Sequence, residues 1–279
     1  MTCFGTIDQV ETAMKLQELA LKKPVLTAEE LQVWLDREYS RNKRSREALL
    51  SYHLREGHLI RVRRGLYAVV PPGSDPETCP VDPYLVPAKS ADDAVLAYHT
   101  ALEVHGKAHS VFERYCFQSN KPLRPTMFRT YRFECVLFPK VLRAKGKQHF
   151  ATKTVERSGL EIRVASLERT LVDLLDRPDL GGGWEEIWRS LESVEYFDLD
   201  LVVAYVKLLA NRTTAAKVGY YLQQHAETLM VEERHLDPLR ELCPKQPHYI
   251  ERGKSGRLVR GWNLVVPESL VRKSWEEIA

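Results

Sequence analysis

In this 279-residue chain, the run whose residue types and spacing point most directly to a chemistry is Arg41-Asn42-Lys43-Arg44-Ser45-Arg46. The planar fork of arginine pairs with a guanine edge and the amide of asparagine with an adenine edge, while lysine and serine suit phosphate oxygens. A second set, Arg61, Arg63 and Arg64, sits in Leu59-Ile60-Arg61-Val62-Arg63-Arg64-Gly65-Leu66-Tyr67-Ala68-Val69-Val70. Residues 37–64 hold nine Lys or Arg against three Glu, a net charge of +6. That local excess can steer a polyanion toward the chain. The plainer reading of the same charges is a solvated surface over a helical hairpin.

The elements that would hold these residues are legible around them. Thr27-Ala28-Glu29-Glu30 has the form of a capping box, and Leu31, Trp34 and Leu35 follow as one helical apolar stripe. The basic run then opens a second helix with Leu50 and Leu54 inward, and Gly57 is placed to end it. From Leu59 the period changes to two, with Ile60 and Val62 on one face and Arg61 and Arg63 on the other. Arg64-Gly65 supplies the turn, and Tyr67 and Val69 lie on the returning strand. Residues 6–22, with Ile7, Val10, Met14 and Leu21 at heptad-like spacing, form an amphipathic helix that ends at Lys23-Pro24. Three helices and a hairpin in this order predict a winged helix-turn-helix. In it, 41–46 enter the major groove and Arg61, Arg63 and Arg64 form the wing.

The run from Leu59 to Ala68 directly after Gly57 resembles the N-terminal domain of AbiE-type antitoxins. Ala97-Tyr98-His99-Thr100-Ala101-Leu102 with Gly106, and Ala165-Ser166-Leu167-Glu168-Arg169-Thr170-Leu171-Val172-Asp173-Leu174-Leu175, are similar to two helices of that family's second domain. The stretch from Tyr39 to Ser45 departs from the pattern by adding residues around the helix-turn-helix turn. The resemblance implies a two-domain antitoxin of a type IV toxin–antitoxin system. Its N-terminal domain would repress its own operon at inverted repeats on double-stranded DNA. Its C-terminal domain would counter a nucleotidyltransferase-type toxin.

Pro71-Pro72-Gly73-Ser74-Asp75-Pro76, extended by Pro80, Pro83 and Pro87, reads as a stiff linker. The expected organisation is a winged helix over 1–72, a proline-rich linker over 73–89 and a larger α+β domain over 90–279. In the last of these, Ser90-Ala91-Asp92-Asp93 is expected to open a helix carrying Val95, Tyr98, His99 and Leu102. Strands are expected at Tyr115–Gln118, within 126–138 on either side of Glu134, and at 150–156 and 160–164 flanking Ser158-Gly159. Ser166 caps a helix with Leu171, Leu174 and Leu175 inward. Further helices are expected at 184–193, 199–210 and 214–227, then a strand-like run at 258–266 and a short helix from Glu268.

Residues 121–157 are the most basic part of the chain, ten Lys or Arg against two Glu. Leu142-Arg143-Ala144-Lys145-Gly146-Lys147-Gln148 reads as an exposed loop whose Arg143, Lys145 and Lys147 make a possible second nucleic-acid patch. The plainer alternative is a basic sheet face.

No catalytic, metal or cofactor site is expected. The chain lacks G-x-S-x-G, H-E-x-x-H and a helix-opening G-x-G-x-x-G, and Gly253-Lys254-Ser255 has His248 where a P-loop needs glycine. A nuclease would have to draw on Glu156, Glu161, Asp173 and Asp176, but Asp173 and Asp176 at i and i+3 read more simply as a solvated helix edge. His99 and His105 read as packing residues. Five cysteines without a C-x-x-C suit reduced thiols. With no apolar run of the ~18–20 residues a span needs, a cytoplasmic protein with no membrane partner is expected. Two other readings stay open: a transcription factor whose second domain senses a small ligand, and a nuclease effector targeted by the winged helix.

Overall fold

The computed structural model describes residues 4–39, 43–251 and 253–272. The chain begins with α1 (Phe4–Lys22), β1 (Val25–Thr27), α2 (Ala28–Tyr39), α3 (Lys43–Arg55), β2 (Leu59–Arg63) and β3 (Leu66–Val69). The proline segment leads to α4 (Leu85–Ala88), β4 (Val95–Leu96), α5 (His99–Val104), β5 (Arg114–Ser119), β6 (Thr126–Phe128), β7 (Tyr131–Leu137), α6 (Lys140–Ala144), β8 (Thr152–Arg157) and β9 (Leu160–Ala165). A helical layer follows: α7 (Leu167–Asp176), α8 (Trp184–Glu192), α9 (Leu199–Leu209), α10 (Arg212–Gln224) and α11 (Glu233–Leu242). The last elements are β10 (His248–Tyr249), β11 (Arg257–Val259), β12 (Leu264–Val266) and α12 (Glu268–Arg272). The fold is α+β, a winged helix-turn-helix region followed by a larger sheet-containing domain.

A six-stranded mixed sheet in the order β6-β7-β5-β4-β9-β8 organises the second domain, and a small sheet, β10-β12-β11, closes its C-terminal side. The largest core joins the main sheet to α7–α10. Caps begin several of these helices: Ser166 accepts from the Arg169 amide at 3.4 Å, Asp198 from Leu201 at 3.0 Å and Asn211 from Thr213 at 3.1 Å.

In the winged helix, β1-β3-β2 form the sheet. Leu26, Leu59, Tyr67 and Val69 face a core shared with Leu16, Leu19, Leu31, Trp34 and Leu35. Val25, Val62, Leu66 and Ala68 face the other way and belong to the core of the second domain. The sheet is therefore buried on both faces, which is why β3 reads Leu66-Tyr67-Ala68-Val69 with no polar alternation. Burying a Val or Leu side chain is worth about 1.5–3 kcal/mol. The Glu30–Lys89 ion pair across the same junction (2.8 Å) adds at most about 1 kcal/mol. Apolar packing thus holds the junction, and the polar contacts fix its register.

Several expectations are corrected. Met14 and Leu21 of α1 face solvent at 69% and 68% exposure, and Leu16 and Leu19 fill the core instead. Of the same heptad line, the Ile7 and Val10 side chains lie outside the described residues. Ser90 begins a turn rather than a helix. Its hydroxyl donates back to the Val86 carbonyl, and Asp93 accepts from the Ser119 hydroxyl and the Asn120 amide. The helix starts only at His99, after Tyr98 at φ 59°. The β6–β7 hairpin turns at Arg129-Thr130 and not beside Glu134, with Arg129 at φ 56°. Asp173 is fully buried, as its carboxylate accepts from Arg169 and Tyr205. The α11 helix carries Pro238 inside it, a helix breaker that hid the element from the sequence pattern.

Candidate nucleic-acid interface

The capping box forms in full. The Glu30 amide donates to the Thr27 hydroxyl (3.2 Å) and the Thr27 amide to the Glu30 carboxylate (3.0 Å). Glu30 also accepts from Lys23 at 3.1 Å and Lys89 at 2.8 Å. Burial acts to raise its pKa, but these partners together hold the carboxyl below its usual range. The start of α2 is thereby tied to the second domain.

The first turn of α3 contains no acid, so its unsatisfied N–H groups and dipole add to the positive field of the basic run. Arg41 and Asn42 lie outside the described residues. The backbone of Lys43, Arg44, Ser45 and Arg46 forms that first turn, and their side chains are likewise outside the described residues. At the other end, the His58 amide donates to the His53 carbonyl (2.9 Å) and the Gly57 amide to the Leu54 carbonyl (3.4 Å). This is a Schellman stop, with Gly57 at φ 73°. A Cβ there would also lie 2.5 Å from the Pro76 ring, so Gly57 allows the linker to close on the helix end.

Leu50 and Leu54 are only half-buried, and the residue sealed against the core is His53. Its Nδ1 lies 3.2 Å from Nδ1 of His58. Burial, aided by the His58 charge, pushes the His53 pKa from its ordinary 6.5 down to about 4. Since the folded value is the lower one, the unfolded chain takes up the proton first. The contribution is whole above pH 6.5 and is lost as pH falls toward about 4. Thermal melts across that window should show a falling Tm, and His53→Leu should flatten the slope. An unchanged slope in the variant would assign the effect to another group.

The hairpin does not keep its arginines on one face. Arg61 pairs with Tyr67 but Arg63 pairs with Leu66, so a β-bulge at Val62 breaks the alternation. Arg61 stays exposed with its guanidinium 5.9 Å from the Tyr67 ring centre, and Arg64 is exposed at the turn beside Gly65 (φ 81°). Arg63 turns with Val62 toward the second domain, where its Nη2 donates to the Ser90 carbonyl at 2.7 Å and its Nε is buried with no acceptor. Of the three wing arginines, Arg61 and Arg64 face solvent, and Arg63 docks the hairpin.

From Arg63 a run of contacts leads to the second basic patch. Arg163 holds the Asp92 carbonyl (2.5 Å), Asp93 holds Ser119 and Asn120, and Gln148 donates to Asn120 (3.2 Å). Part of the expected loop is helical, since Leu142 is fully buried in α6 and Arg143 is half-buried with its Nε on the Phe138 carbonyl. Lys145 and Lys147 are exposed. The fully buried Arg169 of α7 clamps the far end, donating to the carbonyls of Gln148 (2.7 Å) and Phe150 (2.8 Å). Its Nη2 donates to Gln118 (2.5 Å) and its Nε to Asp173 (3.3 Å). The basic loop is therefore held from beneath. The helical periodicity around Arg169 could not announce this clamp, because its partners are backbone carbonyls remote in sequence.

Residues 14–70 match the family model described as a transcriptional regulator, AbiEi antitoxin. The winged helix is thus similar to AbiEi-type antitoxin regulators. The match spans α2, α3 and the hairpin together with the second half of α1, and so covers the capping box, the basic helix and the arginine hairpin built above. The crystal structure of the RV2827C protein from Mycobacterium tuberculosis has a similar fold, with TM-score 0.61 and 17% identity over 95% of this chain and 93% of that one. That likeness is one of fold alone. The comparison with curated proteins found no match.

Beyond residues 14–70, two of the four carboxylates a nuclease would draw on are otherwise engaged. Asp173 is sealed with Arg169 and Tyr205, Asp176 accepts from Asn211 and Thr214, and Glu156 and Glu161 are exposed opposite each other on β8 and β9. Among the described residues no group of His, Cys, Asp and Glu could hold a metal ion. His99 is stacked 4.0 Å from the Phe112 ring with Nε2 at 3.0 Å from Glu186, and His105 bonds the Ala165 carbonyl at 2.8 Å. No described helix is long and apolar enough to cross a membrane.

Proposed function

We propose that this protein is a sequence-specific repressor of its own operon and the antitoxin of a type IV pair, countering a nucleotidyltransferase-type toxin in the cytoplasm. The AbiEi-type match over 14–70 carries the reading, since it falls on the capped α2, the acid-free start of α3 and the hairpin. Residues 1–72 read the operator, 73–89 connect, and 90–279 carry the antitoxin role without catalysis. Arg41, Asn42, Lys43, Arg44, Ser45 and Arg46 reach base edges and flanking phosphates of inverted repeats. Arg61 and Arg64 take backbone phosphates, and Arg143, Lys145 and Lys147 are a second contact for nucleic acid.

A gel-shift titration against the upstream region, at two salt concentrations and with random competitor, tests the reading. Arg44→Ala should weaken the cognate complex by about 1–3 kcal/mol and relax sequence preference. Arg64→Ala should weaken all sequences alike and reduce the salt slope by about one unit. If both variants act equally on every sequence, the recognition-helix assignment fails. Equal binding of operator and random DNA by the unaltered protein would reject the repressor itself.

A different form of the ligand-sensing alternative, with the ligand held beside the winged helix rather than in the second domain, has one observation in its favour. A cavity of about 430 Å³ lies between α1, the end of α3 and the proline segment, lined by Tyr52, Glu56, His58 and Pro71 among others. A ligand that raised the Tm and loosened operator binding together would establish it.

A further inference from the structure

Helix α1 carries two apolar lines. Leu16 and Leu19 fill the winged-helix core, while Met14 and Leu21, one heptad apart on the opposite side, stand in solvent. Sequence spacing puts Ile7 one heptad before Met14. Single exposed apolar residues are ordinary. A heptad line on a helix that already has a buried face is the pattern of a helix–helix seam. The two flanks of this line differ. One carries Glu11, Lys15, Glu18 and Lys22, alternating in sign and paired along the helix, Lys15 to Glu11 at 2.8 Å and Lys22 to Glu18 at 2.6 Å, with Glu38 of α2 also 3.9 Å from Lys15. The other carries Ala13, Gln17 and Ala20, small or uncharged. Beyond Leu21 the surface continues as a shallow groove of about 900 Å³ between the two domains, lined by Leu21, Val81 and Tyr131 but also by Asp82, Arg129 and Arg157.

We propose that this face docks a second copy of the chain, α1 against α1, antiparallel across a two-fold axis. In an antiparallel pair each flank meets its own counterpart read backwards. Glu11 then comes opposite Lys22 of the other copy, and Lys15 opposite Glu18, so the charge pattern is complementary to itself. A parallel pair would set the charged flank against Ala13, Gln17 and Ala20, where it finds no complement. The antiparallel sense also carries the N-terminal half of the second α1 past Leu21 to the interdomain groove. The contact is isologous, as a closed dimer requires. Such a dimer would present two α3 helices related by a two-fold, which suits an inverted repeat. That last step rests on the DNA reading above, and the docking itself does not.

Sedimentation equilibrium of the full chain, from low to high micromolar concentration and without DNA, tests the docking. A monomer–dimer equilibrium is expected. Met14→Glu with Leu21→Glu should weaken it on the order of a hundredfold, because carboxylates would be buried in the seam. At concentrations where the parent chain is monomeric the Tm should not change, because both positions are exposed there. Glu11→Lys with Glu18→Lys should also weaken the dimer, and adding Lys15→Glu and Lys22→Glu to that chain should restore it. Gln17→Cys, exposed near the expected axis, gives an independent check by cross-linking to itself under mild oxidation where the parent chain does not. A monomer throughout, a dimer indifferent to the Met14 and Leu21 changes, or charge reversal without restoration would each overturn the proposal. Operator binding that persists in a monomeric variant would leave the repressor reading standing alone.

Discussion

Arg169→Leu is expected to lower the free energy of unfolding by about 3–5 kcal/mol, the usual cost of removing one partner from a buried, hydrogen-bonded ion pair. The guanidinium is wholly buried and donates to Asp173, Gln118 and the carbonyls of Gln148 and Phe150. It also lies 5.7 Å from the Phe138 ring centre and 5.4 Å from that of Tyr205. Burial already pushes the Asp173 carboxyl upward against the pull of Arg169 and the Tyr205 hydroxyl, so without the arginine that carboxylate loses its main counter-charge. The double variant Arg169→Leu, Asp173→Leu separates two contributions. It relieves the unpaired charge but leaves the Gln148 and Phe150 carbonyls without donors, so it should recover only part of the loss. Lysine at 169 would not substitute, since a single ammonium cannot span four acceptors held in a planar fork. Denaturant titration of the single and double variants reads these differences. A single variant that lost less than about 1 kcal/mol would show that the clamp does not support the fold.

Gly219→Ala should destabilise the protein by about 1–3 kcal/mol, although alanine is the better helix former by about 1 kcal/mol. An added Cβ would lie 2.1 Å from the six-membered ring of Trp262, which is itself buried and bonded through its indole N–H to Gln223. A rigid ring offers no rotamer escape, so overpacking wins over propensity. Trp262→Ala alone should cost about 3–5 kcal/mol through the cavity it leaves. With that ring gone, Gly219→Ala should become neutral or stabilising, and the reversal of sign is the diagnostic result. Additive effects of the two changes would rule out the close approach as the reason for glycine.

Much of the winged helix was legible because its signals are local. Thr27 with Glu30, the stripe Leu31, Trp34 and Leu35, and Gly57 after α3 each act over a few residues, and each forms as the sequence implies. The errors arise where distant parts of the chain compete for a side chain. Arg63 looks like a free cation in sequence but is drawn to Ser90, and the bulge that permits this has no mark of its own in Arg61-Val62-Arg63. Asp173 looks like a helix edge because Tyr205, which holds it from α9, is remote in sequence. Ser90 imitates a cap, but the next residues with apolar character, Val95 and Leu96, pair with β5 and β9 and are claimed by the sheet. The burial of His53 has no mark in the sequence, because a histidine inside a basic helix suggests solvent, whereas the Schellman turn folds it under.

The two-sided burial of β1-β3-β2 bears on what this molecule can be divided into. A fragment ending after Val70 would keep Leu26, Leu59, Tyr67 and Val69 covered by its own helices but strip the cover from Val25, Val62, Leu66 and Ala68. Such a fragment would carry an apolar sheet face with an open edge, the kind of surface that drives aggregation. The winged helix is consequently no interchangeable module. Its last structural layer is supplied by the body, so melting either part exposes the other, and the two should unfold in a single cooperative step. Any exchange of heads between relatives, by recombination or by design, would have to carry the matching patch of the body with it.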